Sequence, residues 1–340
     1  MYSKFFIFTK KYKKLKSPIF TINYIKRLFV SIKVFLSDKV PNEKDKILSI
    51  ISFNDKVNYE NNIISTGLSP VKNGALYEIW EVENKVINTS FNEINLSANK
   101  NFIFGSTIIE NDKSYKELGL EIQSKYLDFL HIVRESNMKL IKIWHYIPQL
   151  LRKYKNNKTN YSLFCDAREV IYKKYHNNLS YPAATVIGIE GKKLIMYFIA
   201  ANCETYNALE NKRQVSAYDY PQDIFFEKPM FSRAVNFSIE QDQSSKIIIS
   251  GTASIKGYQS MHPNNIAKQL DESLKNYKIF SDIKNKLNVC RIYVSKEQKS
   301  NIKIIEEKLD NYFKKNQYAL LYGDICREEL LIEIEGISDV

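Results

Sequence analysis

Four histidines and four cysteines are all that 340 residues offer for metal or thiol chemistry. Cys165, Cys203, Cys290 and Cys326 form no CxxC pair and have no histidine at metal-ligand spacing. They are expected as free thiols in a reducing compartment, three of them as small buried hydrophobes. The histidines, at 131, 145, 176 and 262, argue against a metal-centred enzyme and lend a Ser-His-Asp triad no support. There is no GxGxxG, Walker A loop, HExxH, GxSxG or kinase signature, and no internal repeat at a fixed period. No apolar run approaches the roughly 18 residues that a membrane helix needs. Lysines interrupt the apolar stretches near the N-terminus and no small-residue cleavage site follows them. Neither a membrane span nor a signal peptide is expected, and the chain reads as cytoplasmic.

What is present is a globular composition. Hydrophobic residues make up 44% and charged residues 26%, and the length suffices for a sizeable core and two domains. The 23 tyrosines and 19 phenylalanines favour strands and packed cores over coiled coil. The net charge of +12 is concentrated at one end: residues 1–40 hold ten Lys or Arg against the single acid Asp38. A groove that binds nucleic acid spreads its cations through the folded domain. The basic tract is therefore expected as a solvated extension, with neither a nucleic-acid partner nor stable membrane association, and the chain as a monomer rather than an oligomer. Were the tract packed near an active site, it would steer an anionic substrate.

Periodicity predicts strands over residues 47–53, 75–83, 85–91 and 101–109, then a helix over 114–135. A strand over 139–146 ends at Pro148 and a helix over 160–175 follows. Residues 184–188 and 194–200 read as paired strands with Glu190-Gly191 at the turn. Further strands are expected over 246–254, 289–294, 318–321 and 330–335, with helices over 264–278 and 302–314. The order implies an α+β fold, mixed β-sheets with helices packed on them. The division expected is a basic extension over 1–40, an N-terminal α+β domain over 41–150 and a catalytic domain over 151–340.

Six segments stand out. They are Trp144-His145-Tyr146-Ile147-Pro148 with Asn160-Tyr161 and Phe164-Cys165-Asp166-Ala167-Arg168; Tyr181-Pro182-Ala183-Ala184-Thr185-Val186-Ile187-Gly188; and Asn211-Lys212-Arg213-Gln214-Val215-Ser216-Ala217-Tyr218-Asp219-Tyr220-Pro221. Then come Pro229-Met230-Phe231-Ser232-Arg233-Ala234, Ile249-Ser250-Gly251-Thr252-Ala253-Ser254, and Asp324-Ile325-Cys326-Arg327 running to Leu330-Leu331-Ile332-Glu333-Ile334-Glu335. In this order they resemble the chorismatase family over roughly residues 140–336, with His145 standing where the family has Asn. The resemblance implies a YjgF/RidA-like C-terminal domain beside a divergent N-terminal domain of related shape. It also implies cleavage of chorismate to pyruvate and a hydroxylated ring acid, with no cofactor and no metal.

Such a reaction begins with a proton delivered to the enol-ether methylene carbon, by an acid still protonated near neutral pH. Two substrate carboxylates call for cationic donors, preferably arginine. The resemblance makes Glu333 the acid. Alternation alone puts Leu331, Glu333 and Glu335 on one strand face without choosing between the carboxylates, and the blander reading is a solvated edge strand. Arg168, Arg233 and Arg213 are the candidates for carboxylate binding. Tyr218 and Tyr220, which alternate to one face, with Gln214 and Tyr161, are candidate polar contacts. Thr252 and Ala253 belong to a small-residue corner that would admit the ring. The resemblance associates Cys326, seven residues before the acid, with release of 3-hydroxybenzoate. Formation of 4-hydroxybenzoate, purely hydrolytic release of a cyclohexadiene diol, imine hydrolysis and a non-catalytic small-acid-binding role remain open.

Overall fold

The computed structural model describes residues 32–340 apart from 73, 75, 155–156, 176–179, 222, 226, 240–244 and 282–286. Most of the basic tract, with His176, lies outside the described residues. The first sheet takes β1 (Ile32–Ser37), β2 (Ile47–Phe53), β3 (Val57–Glu60), β4 (Ile63–Thr66) and β5 (Leu76–Val82) in the order β1-β5-β2-β4-β3. The end of the basic tract is thus a strand and no extension, since β1 pairs antiparallel with β5 along its whole length.

The second sheet takes β6 (Ile87–Phe91), β7 (Ile94–Ala98), β8 (Phe102–Glu110), β9 (Lys139–Pro148), β10 (Ala183–Ile189) and β11 (Lys193–Ala201). Helices α1 (Tyr115–Glu135) and α2 (Asn160–Tyr175) connect β8 to β9 and β9 to β10. The third takes β12 (Cys203–Leu209), β13 (Ala234–Ile239) and β14 (Lys246–Ala253), then, after the hairpin β15 (Ile255–Lys256) and β16 (Gln259–Ser260), β17 (Leu287–Val294), β18 (Tyr318–Tyr322) and β19 (Ile332–Asp339). Helix α3 (Ile266–Tyr277) precedes β17 and α4 (Ile302–Leu309) precedes β18.

These two six-stranded sheets share one topology. Reading across the second gives β6-β7-β8-β11-β9-β10 and across the third β12-β13-β14-β19-β17-β18. Each is a three-stranded meander followed by two helix-linked strands, parallel to one another, with the last strand inserted antiparallel between meander and pair. Strands on both sides of residue 150 belong to the second sheet, and the change of sheet falls between Ala201 and Cys203.

Residues 184–188 and 194–200, expected as partners, are separated by β9, which pairs parallel with β10 and antiparallel with β11. The reason is burial. Apart from their first residues, β9 and β11 are buried throughout, so each takes an interior position with two partners and β10 is left at the edge. By the same logic β19 runs between β14 and β17, and the solvated edge-strand reading of its glutamates does not hold.

Helix α1 starts where its sequence places it. Ser114 Oγ accepts from the Glu117 N–H while the Glu117 carboxylate accepts from the Ser114 N–H. Its stripe Leu118, Ile122, Tyr126 and Phe129 packs with Leu163 and Phe164 of α2 on the outer face of the second sheet. Leu270 and Leu274 of α3 and Ile305 and Leu309 of α4 cover the third sheet against Ile332 and Ile334. The inner faces of all three sheets meet in one core through Trp80, Trp144, Tyr197, Val235, Ile248 and Tyr293.

At the centre of that core lie four charges. Arg291 donates through Nε and Nη2 to both oxygens of Glu78 and through Nη1 to Glu335. Lys142 donates to Glu335 as well. Removing one member of such a set leaves an unpaired buried charge. Glu78→Ala is expected to lower the unfolding free energy by about 3–5 kcal/mol in urea titrations. Lys193→Ala, which breaks a half-exposed pair with Glu110, should change it by less than about 1 kcal/mol.

Candidate active site

Edge strand β10 is the meeting point of the two similar units. At one end Ser232 N–H donates to Pro182 O and Ala184 N–H to Ser250 Oγ. At the other, Gly188 and Asp324 exchange both backbone hydrogen bonds. A Cβ on Gly188 would lie 2.8 Å from the Asp324 Cβ, so the close approach requires glycine. Between these two stitches the sheets part, and a cleft of about 170 Å³ opens.

Its walls come from several elements. Strand β10 gives Ala184, Thr185 and Val186, α2 gives Tyr161 and Arg168, and β14 gives Gly251 and Ala253. The connection before β13 contributes Tyr220, Phe225, Glu227, Phe231 and Arg233, and the one before β19 contributes Cys326, Arg327 and Glu329. Glu333, on β19, lies at the floor beside Gly251. A Cβ on Gly251 would sit 1.9 Å from Glu333 Oε1, so only glycine leaves the acid its place.

The two carboxylates of β19 differ sharply. Glu335 accepts from Lys142, Arg291, Trp144 Nε1, Tyr293 and Thr185. Burial alone would raise its pKa, but Lys142 and Arg291, with the hydrogen bonds from Lys142 and Thr185, outweigh it and hold Glu335 below the ordinary carboxylate range. Glu333 is equally removed from water, at 5% exposure, and receives no hydrogen bond from any described residue. Burial and then the charge of Glu335 push it up to about 8, against smaller opposing effects of Lys142 and Arg233. Glu333 is thus a carboxylic acid at neutral pH and Glu335 a carboxylate.

Two buried guanidinium groups face this acid across the cleft. Arg168 stacks 4.9 Å from the Phe164 ring, and its Nε and Nη2 have no partner among the described residues. Arg233 donates through Nη2 to Val215 O and Tyr220 OH, both at 2.9 Å, and its Nε has no such partner. Buried N–H donors are rarely left unmatched, so these mark places for an anion. The Cys326 thiol is pushed up to about 12 by burial and by Glu333, so at neutral pH it is a thiol and not a thiolate.

Of the residues singled out in the sequence, the cleft brings together Glu333, Cys326, Arg168, Arg233, Tyr161, Tyr220 and Ala253. It leaves out four. Arg213 pairs with Glu272 and Asn276 and anchors α3. Gln214 does not line the cleft and donates to the backbone oxygen of Ile255, which does. Thr252 turns away from Ala253 and donates to Ser250 O. Tyr218 packs its ring 5.0 Å from Tyr181. The expected alternation of Tyr218 and Tyr220 fails because residues Ala217–Asp219 form a 3-10 turn. His145 is fully buried, between Tyr126 OH and Thr185 O, and does not itself line the cleft.

Sequence reasoning missed Thr185, Arg327, Glu227, Phe225 and Phe231 as cleft residues. A lone hydroxyl in the apolar run of β10 is a signal for Thr185. Arg327 adjoins Cys326 and donates to Tyr258 O and Ser260 Oγ while stacking on Phe225. The loop that carries the two phenylalanines has no periodicity to read.

Comparison with known proteins follows the same outline. A family model described as chorismatase FkbO/Hyg5-like, N-terminal, matches residues 78–200. A chorismatase of Streptomyces rapamycinicus is 25% identical over 276 residues, 76% of this chain and 81% of that one. A 3-hydroxybenzoate synthase of Streptomyces hygroscopicus is 25% identical over 63% of this chain and 68% of its own. The crystal structure of a chorismatase superposes with a TM-score of 0.79 at 20% identity, covering 92% of this chain and 99% of that one. The α+β fold and the resemblance to chorismatases both stand, and the resemblance reaches further toward the N-terminus than the motifs had indicated.

The raised Glu333 has a consequence for stability. Its proton is held in the native chain up to about pH 8, whereas an ordinary glutamate loses it near 4.5. Between those values folding takes up a proton, so stability declines as pH rises, by up to about 1.4 kcal/mol per pH unit from this group. Glu333→Gln should flatten that decline, and urea unfolding at a series of pH values across the window checks it.

Proposed function

We propose that this protein is a chorismatase in which Glu333 protonates the methylene carbon of the enolpyruvyl ether of chorismate. The observation that carries the reading is a buried acid kept neutral at the floor of a cleft whose walls hold two arginines with unmatched donors. A proton donor to carbon must be uncharged when substrate arrives, and a dicarboxylate needs fixed cations on two sides. Relatives of this chain named chorismatase and 3-hydroxybenzoate synthase support the substrate.

In this reading Arg168 and Arg233 take the substrate carboxylates, and Tyr161 and Tyr220 border the ring. The proton leaves Glu333 and the methylene becomes a methyl group, with positive charge spread over the adjacent carbon and the ether oxygen. Water adds to that carbon, the new hydroxyl passes its proton to the ether oxygen as the bond between the two breaks, and pyruvate departs. The ring diol left behind then loses its C4 hydroxyl together with the C3 hydrogen as water, which leaves 3-hydroxybenzoate. The Glu333 carboxylate regains its proton as the adding group loses one. Cys326, as a neutral thiol beside the acid, is assigned to the route that ends in 3-hydroxybenzoate.

Incubation of the purified protein with chorismate, without added metal or cofactor, is expected to release pyruvate and 3-hydroxybenzoate in equal amounts, read by chromatography. Glu333→Gln should lower turnover by about 10²–10⁴-fold, with ligand binding retained. Arg168→Met should raise KM while leaving the thermal transition cooperative. Pyruvate accompanied by the non-aromatic diol would retain chorismate cleavage and reject the role of Cys326. Binding without pyruvate release would leave a small-acid-binding protein.

A further inference from the structure

Glu335 lies outside the cleft, yet everything around it is arranged to keep it charged. Five donors from three strands of two sheets converge on it: Lys142 and Trp144 from β9, Thr185 from β10, and Arg291 and Tyr293 from β17. It is 1% exposed, and it stands two residues from Glu333 on the same face of the same strand, about 7 Å along the chain. Behind it Arg291 is held in place by a bidentate pair with Glu78 from the first sheet and by donation to Tyr146 and Tyr197.

The groups facing Glu333 divide by sign. Glu335 on its own strand is negative. Lys142 on β9, Arg168 on α2 and Arg233 before β13 are positive. Around the cleft mouth stand Arg327, Glu329 and Glu227, with the uncharged Cys326 and Tyr161 nearer the floor. Burial holds the proton on Glu333 first, Glu335 adds to it, and Lys142 and Arg233 oppose both. Thr185, which lines the cleft, accepts from the Gly251 N–H and donates its own hydrogen to Glu335. It therefore has no hydrogen left to stabilise an ionised Glu333.

We propose that Glu335 is a positioning residue for the cleft, a fixed negative charge that keeps the proton on Glu333 against the cations that bind substrate. The inference rests on the reading of Glu333 as the acid, but its test does not need turnover. The ion cluster is then more than a tie between sheets: it is what makes Glu335 too well solvated by protein dipoles to take the proton itself.

The experiment is a carboxyl ¹³C NMR titration of the full-length protein with labelled glutamate, the Glu333 signal being assigned by its loss in Glu333→Gln. Glu335→Gln is expected to lower the titration midpoint of Glu333 by about one pH unit or more. Glu335→Asp, which keeps the charge, should restore it to within about half a unit of the wild type. Lys142→Met removes a cation from the acid's surroundings while four donors remain on Glu335, and should move the midpoint upward. Opposite shifts from two neighbouring variants are not what a purely structural role produces. The alkaline decline of pyruvate release from chorismate should move the same way in each variant. An unchanged midpoint in Glu335→Gln overturns the proposal. If that variant does not fold, the absence of an upward shift in Lys142→Met overturns it instead. A wild-type protein that leaves chorismate intact would remove the proposed function, while the titration would still decide whether Glu335 governs the proton on Glu333.

Discussion

The structure depends on a carboxylate buried where three sheets meet. Glu335 accepts from five side chains of two sheets, and through Arg291 it is joined to Glu78 in the third. A single ionised group so far from water would be prohibitive. Two acids and two bases, cross-linked through Tyr146, Tyr197, Tyr293, Trp80 and Trp144, form a neutral set in which each charge is matched. Such a cluster adds little to stability compared with an apolar core of the same volume. What it does impose is registry: Arg291 and Glu335 sit directly across from one another on β17 and β19, and a one-residue slip of either strand would turn its charge into the helix layer, away from the other.

Registry at that point fixes the cleft. Because Glu335 faces the ion cluster, alternation makes Glu333 face the same side, where it reaches the gap beneath β10. The duplicated topology explains why a gap exists there. In the third sheet the strand equivalent to β10 is β18, an edge as well, and β10, the second sheet's edge strand, leans on the unit of the third sheet through two short backbone stitches. A continuous pairing would have sealed the site. Two stitches separated by a few residues leave room for Gly251 and Glu333, and the arginines then enter from elements outside the sheets, α2 and the connection before β13.

Much of this was readable in the chain. Strong periodicity located β2, β9, β11, β14, α1, α2 and α3, and the alternation over residues 330–335 put both glutamates on one face. Their roles were not readable, because what separates them is Lys142 and Arg291, and Lys142 is 193 residues away from Glu335. Pairing failed for the same kind of reason. Residues 184–188 and 194–200 have a turn between them and the composition of a hairpin, but burial on both faces drew β9 between them. Arg213 and Arg233 differ already in sequence, the first in the polar run Asn211-Lys212-Arg213-Gln214 and the second between Ser232 and Ala234 in a stretch that reads as buried. Their partners were not readable: Arg213 meets Glu272 on α3, and Arg233 has an unmatched Nε at the cleft. The shared topology of the two halves left no trace as a repeat, since their strands are matched in order and direction and not in residues.

Binding and proton retention pull together in the proposed reading. Arg233 opposes the proton on Glu333 in the free cleft, so the cations needed to hold a dicarboxylate work against the acid. When the substrate carboxylates neutralise them, that opposition falls away and the repulsion from Glu335 remains. The acid is therefore most firmly protonated once substrate is in place, and the anion left after proton transfer is formed beside a cationic substrate carbon that attracts it. With cations alone around it the acid would have only burial to hold its proton. The buried carboxylate behind it corrects that imbalance, and this is why the residue that touches no substrate has the larger number of partners.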